Sequence, residues 1–66
     1  MSRTDFWAIA NAMAEAKRWT DEDDAQGLAA LGAASRQLAS ACARQYRGGY
    51  GFNRSKFLEA CGFPQD

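Results

Sequence analysis

Apolar side chains at Phe6, Ile9, Ala10, Met13 and Ala16 return every three or four positions, with Asn11, Glu15 and Arg18 on the other side. That period predicts a helix from about Asp5 to Arg18. Ser2 or Thr4 can cap it, and Lys17 and Arg18 in the last turn suit the negative end of the helix dipole. Trp19 and Thr20 then form a hinge. Thr20 followed by Asp23 has the spacing of a capping box, which places Asp21, Glu22, Asp23 and Asp24 in the first turn of a second helix, where carboxylates are favoured. This helix is expected to run to about Tyr46. Leu28, Leu31, Ser35, Leu38, Cys42 and Tyr46 make its inward seam, while Arg36, Ser40, Arg44 and Arg47 share another face. Gly27 and Gly32 each cost about 1 kcal/mol relative to alanine inside a helix. Either the helix breaks near one of them, or a neighbour needs to come close.

The third helix carries the clearest local signals. Asn53 is an N-cap residue, and Phe52 before it and Phe57 four positions after it have the spacing of a hydrophobic staple. Gly62 stands where a left-handed C-terminal cap belongs, Phe63 can fold back on Leu58, and Pro64 prevents continuation. Helix 3 is therefore expected over Arg54 to Cys61. Phe6, Trp7 and Trp19 are assigned to the core.

Composition narrows the class. Fourteen residues are alanine, none is valine, one is isoleucine and two are threonine, which argues against strands. The expectation is a single all-α domain over residues 1–66, a compact bundle of two longer helices and a short C-terminal one. A chain of 66 residues buries only about 60% of its unfolded surface, so the core must be thin. The formal charge is zero, but residues 1–24 carry three basic and six acidic side chains and residues 25–66 carry five basic and two acidic ones. The chain is acidic first and basic after.

Several activities are excluded on chemical grounds. Cys42 and Cys61 occur without histidine, which is too few ligands for a zinc site, and neither has a neighbouring base that would make it a nucleophile. No catalytic residue, metal or cofactor is expected. No run approaches the roughly 20 apolar residues that span a bilayer, and no secretory-type leader begins the chain, so a cytoplasmic protein with reduced thiols is expected. A calcium loop starting at Asp21 would have Ala25, Gln26 and Gly32 at positions that need a ligand, glycine and glutamate. The stretch Gly49-Tyr50-Gly51-Phe52 resembles an RNA-recognition strand, yet Gly48 and Asn53 replace the required basic and aliphatic residues and no strands surround it.

Two surface features remain. Asp21, Glu22, Asp23 and Asp24 read either as a helix terminus dressed with acids, partly neutralised by Lys17 and Arg18, or as an exposed negative knob that docks on a basic surface. Arg36, Arg44, Arg47 and Arg54, with Tyr50 as a stacking surface, read either as a solvated face or as a weak nucleic-acid site. The segments "FWAIANAM", "QLASACA" and "FNRSKFLEACGF" resemble small orphan proteins of phages and other mobile elements. Those share an F-x-x-I-A helix and an F-[DN]-R-x-x-F-L-x-A-C-G tail. The resemblance implies a setting in which tiny proteins bind and disable complexes of the bacterial host, anti-CRISPR inhibitors being one such group.

The leading expectation is thus a non-enzymatic protein that binds a host or defence complex through its acidic surface. A nucleic-acid accessory factor and a self-associating bundle are the alternatives, and monomer and homodimer both stay open.

Overall fold

The computed structural model describes residues 3–46 and 52–64. Three helices, α1 (Arg3–Arg18), α2 (Ala25–Gln45) and α3 (Arg54–Cys61), pack so that each touches the other two. The expected three-helix bundle is what forms, and α3 occupies the residues its caps predict.

Helix α1 begins at Arg3, two residues before the expected Asp5, so Thr4 lies inside it. The alternative cap, Ser2, lies outside the described residues. Phe6 and Ala10 are buried and Ile9 and Met13 pack against the core they begin. At the other end the Thr20 hydroxyl donates to the Ala16 carbonyl at 2.9 Å, and the Thr20 amide donates to that of Lys17 at 3.1 Å.

Those bonds correct the expected start of α2. Thr20 is spent closing α1, and the N-cap is Asp24, whose Oδ1 accepts from the Gly27 amide at 2.9 Å. Asp21, Glu22 and Asp23 therefore stand in the connecting turn, and no acid occupies the first turn of α2. Gly27 answers to the same cap. A Cβ there would meet Asp24 Oδ2 at 2.5 Å.

The seam of α2 is also rotated from the expected one. Its buried residues are Gly32, Ser35, Ala39 and Cys42, while Leu28, Leu31, Leu38 and Tyr46 are half-buried at its flanks. A stripe this narrow lets α3 approach closely, and Phe57, Leu58 and Cys61 fill the space. The helix does not break at Gly32. A Cβ on that residue would lie 3.3 Å from Phe63 Cδ1, so the glycine serves the close approach of the tail that follows α3.

Both ends of α3 follow the sequence signals. Asn53 Oδ1 accepts from the Lys56 amide at 3.0 Å, and the Phe52 and Phe57 rings meet at 5.4 Å between centroids. Gly62, at φ 91°, closes the helix with bonds from Gly62 N to the Glu59 carbonyl and from Phe63 N to the Leu58 carbonyl. These are the two bonds of a Schellman cap. The turn aims the Gly62 carbonyl at the Lys17 ammonium, which also sits 4.8 Å from the centre of the Phe63 ring. Lys17 thus ties α1 to the end of α3.

At the opposite end, Phe6 is the hub. Its ring lies 5.5 Å from Tyr46 and 5.1 Å from Phe52, within the 4.5–7 Å of favourable aromatic pairs. The start of α1, the end of α2 and the entry to α3 meet there.

Two substitutions test this packing. Gly62→Ala should lower unfolding free energy by about 1–2 kcal/mol, since a left-handed residue with a Cβ is strained and that atom would also meet Lys17 Cδ at 3.0 Å. Gly32→Leu should cost about 1–3 kcal/mol by displacing Phe63, whereas Gly32→Ala should be nearly neutral because about 1 kcal/mol of helix propensity offsets a small shift. Urea unfolding of the three variants measures all of this, and a Gly32→Leu protein as stable as the parent would contradict the close approach.

Candidate protein-interaction surface

Thin cores have no room for indoles. Trp19 is 83% exposed and Trp7 41% exposed, so both depart from their expected core positions while Phe6 keeps its own. The reason is angular. Position 7 stands one residue off the seam of Phe6, Ile9, Ala10 and Met13, and Trp19 follows the last helical residue of α1. The helical period already set both residues outside the stripe, and only their size argued otherwise.

Trp19 does not stand alone. Asp21, Glu22, Asp23 and Asp24 are all exposed in the turn that follows it. The turn is held by its own backbone, Asp24 N to Asp21 O at 3.0 Å and Ala25 N to Asp23 O at 3.1 Å. Only Asp24 has a structural duty, the cap of α2. Of Lys17 and Arg18, expected to neutralise this run in part, Lys17 has its ammonium on the Gly62 carbonyl and the Phe63 ring instead, while Arg18 is exposed immediately before Trp19. The result is a fixed turn that presents a large apolar ring beside three carboxylates that cap no helix.

The arginine face is less available than the sequence suggested. Arg54 reaches back across α2, donating from Nη1 to Ser40 Oγ at 2.9 Å and from Nη2 to the Arg36 carbonyl at 3.3 Å. Its guanidinium therefore joins α3 to α2. Arg36 and Arg44 are exposed on α2. Arg47 and Tyr50 lie outside the described residues.

Sequence reasoning missed a second feature at the end marked by Phe6. A groove of about 340 Å³ opens there, with the buried Phe6 and Phe57 at its base, Phe52 and Trp7 along it, and the exposed cations Arg3 and Lys56 at its edge. Its signal was present but dispersed, since Arg3 and Lys56 are 53 positions apart in sequence and only the meeting of two helix N-termini joins them.

Both thiols are free and buried. Burial pushes the pKa of Cys42 up, and it pushes that of Cys61 up as well, against a smaller downward pull from the Ser35 hydroxyl. Ser35 Oγ is fully buried and has no hydrogen-bond partner among the described residues, so its contact with the Cys61 thiol falls short of a hydrogen bond. Among the described residues no group of three His, Cys, Asp or Glu side chains is placed to hold a metal, and no helix is long and apolar enough to cross a membrane.

The described residues thus form a small all-α bundle with Trp19 and the acidic turn at one end and the groove of Trp7, Arg3 and Lys56 at the other. No protein-family model, curated protein or solved structure matches the chain.

Raised thiol pKa values favour the folded state below the unfolded thiol value of about 8.5, and that contribution is lost as pH rises through the higher folded values. Thermal stability should therefore fall from pH 8 to pH 10. A thiol-labelling reagent should modify Cys42 and Cys61 no faster than the chain unfolds. Rapid labelling of the native protein would show a thiol that is open to solvent.

Proposed function

We propose that this protein acts by binding another protein, without chemistry of its own, through the end of the bundle where Trp19 stands beside Asp21, Glu22 and Asp23. Trp19 carries this reading. An indole left 83% in water gains by being covered, and tryptophan is enriched among the few residues that dominate interface energies. The carboxylates beside it select the partner's charge. They suit a basic surface, such as one that otherwise holds nucleic acid, and they speed encounter with it. An inhibitor of a host defence complex would meet a surface of this kind, which agrees with the resemblance to small mobile-element proteins.

The alternative, a nucleic-acid accessory factor, has weaker support. Arg54 makes hydrogen bonds within the bundle, which leaves Arg36 and Arg44 as the exposed arginines on the described part of that face. Two charges give weak binding that salt removes.

Capture from bacterial host lysate tests the reading with two variants. Trp19→Ala removes the anchor, and Asp21→Asn with Glu22→Gln and Asp23→Asn removes the charge while leaving the Asp24 cap in place. Truncating a hot-spot residue costs about 2 kcal/mol or more, so the first change should weaken partner binding by about 30-fold or more. Its effect on the melting temperature should be small, since the ring packs on little. Capture undiminished by both changes would move the binding surface elsewhere.

A further inference from the structure

The groove at the basic end and the tryptophan at the acidic end are complementary features of one chain. Groove and knob differ in shape as well as charge. The groove has an aromatic base, holds about 340 Å³ and is edged by Arg3 and Lys56. That volume lies in the range of about 300–1,000 Å³ typical of ligand sites and admits one aromatic side chain. The knob offers an exposed indole followed by three carboxylates that cap nothing.

They cannot meet within one molecule. The groove gathers the start of α1, the end of α2 and the entry to α3, whereas Trp19 and the acidic turn join the end of α1 to the start of α2. Trp7 and Trp19 are separated by about 18 Å along α1, at about 1.5 Å per residue. A second copy can bring them together.

We propose that this protein associates head to tail, Trp19 of one copy entering the groove of the next while Asp21, Glu22 and Asp23 face Arg3 and Lys56. Three observations on the molecule converge on that occupant. The indole is the one large apolar side chain that is almost fully exposed among the described residues. The acids following it match the charges at the groove edge. Aromatic pairing is already the mode by which Phe6, Phe52 and Phe57 pack at the base, and an incoming ring extends it.

The geometry has a consequence for stoichiometry. Groove and knob are different patches, so the contact is heterologous and leaves a free knob at one end and a free groove at the other. Assembly grows as an open chain or closes as a ring. The surface involved is small, which predicts weak association that salt suppresses. This inference shares with the proposed function the premise that the Trp19 end binds, but it places the groove in a role of its own: self-association would cover the partner-binding end.

Sedimentation velocity of purified protein from about 10 µM to about 1 mM at low salt tests it. The parent should gain mass with concentration and lose that gain in about 0.5 M salt, where screening is strong. A knob variant, Trp19→Ala, and a groove variant, Arg3→Glu with Lys56→Glu, should each remain monomeric. The groove variant places acids in the first turns of α1 and α3, where they favour the helix, so circular dichroism should report an intact fold.

The decisive sample is an equimolar mixture of the two variants. One productive contact survives in it, between the knob of the groove variant and the groove of the knob variant, so the mixture should form dimers and stop there. A parent that is monomeric throughout, association that survives either variant, or a mixture that stays monomeric would each overturn the proposal. The groove variant also separates the two readings. It should still capture a partner from lysate, so loss of self-association without loss of capture is expected, and capture that fails only in Trp19→Ala concerns the proposed function alone.

Discussion

Phe63 rests against the bare backbone of Gly32, 3.3 Å from where a Cβ would stand, and the seating of the tail of α3 on α2 depends on that approach. The left-handed turn at Gly62 sends Phe63 there. The same turn presents the Gly62 carbonyl to Lys17, so one residue's backbone links the end of α3 to α1. Against it lies a stripe of α2 with no side chain larger than cysteine, Gly32, Ser35, Ala39 and Cys42. Close backbone approach is how a chain of this length, with few large apolar residues to spend, excludes water from a core.

This economy shapes the surface. Leu58 and Phe57 fill the space between helices and Phe6 closes one end, so the buried core is built from residues smaller than an indole. Trp7 and Trp19 are outside, one near each end of α1. The acids cluster after α1, where Arg18 also stands beside Trp19, while Arg3 and Lys56 occupy two neighbouring helix N-termini, with Asp5 in the first turn of α1. Basic residues in those first turns oppose the helix dipole. Their placement is therefore unfavourable for the isolated helices and is consistent with a role in contact. A buried polar atom without a hydrogen-bond partner among the described residues, Ser35 Oγ, is a second local cost.

Much of the fold was legible because it is local. The cap, staple and left-handed glycine of α3 are interactions among residues within ten positions of each other, and they fix Arg54–Cys61 without reference to the rest of the chain. The start of α2 was not legible. Thr20 and Asp24 are both good caps, and the choice between them turned on the Thr20 hydroxyl finding the Ala16 carbonyl first. The seam of α2 was misread towards its leucines because size is visible in sequence, whereas the distance of closest approach is not. Of the surface features, the acidic turn could be read directly. The exposure of Trp19 followed from its place just past the end of α1 but was masked by the presumption that a tryptophan is buried, and the groove required the meeting of α1 with α3. The arginine face was legible as a periodicity, yet the commitment of Arg54 to Ser40 and Arg36 is a tertiary fact.

The central claim is that the two ends of this molecule recognise each other through Trp19. A photo-reactive benzophenone side chain in place of Trp19 reports that contact directly, because it bonds covalently to whatever covers position 19. Irradiation of an equal mixture of isotopically light and heavy chains, followed by peptide mapping, should give cross-links between chains that join position 19 to peptides bearing Phe6 and Trp7 or Phe52 to Lys56. Cross-links confined within a chain, or joining one acidic turn to another, would contradict the claim.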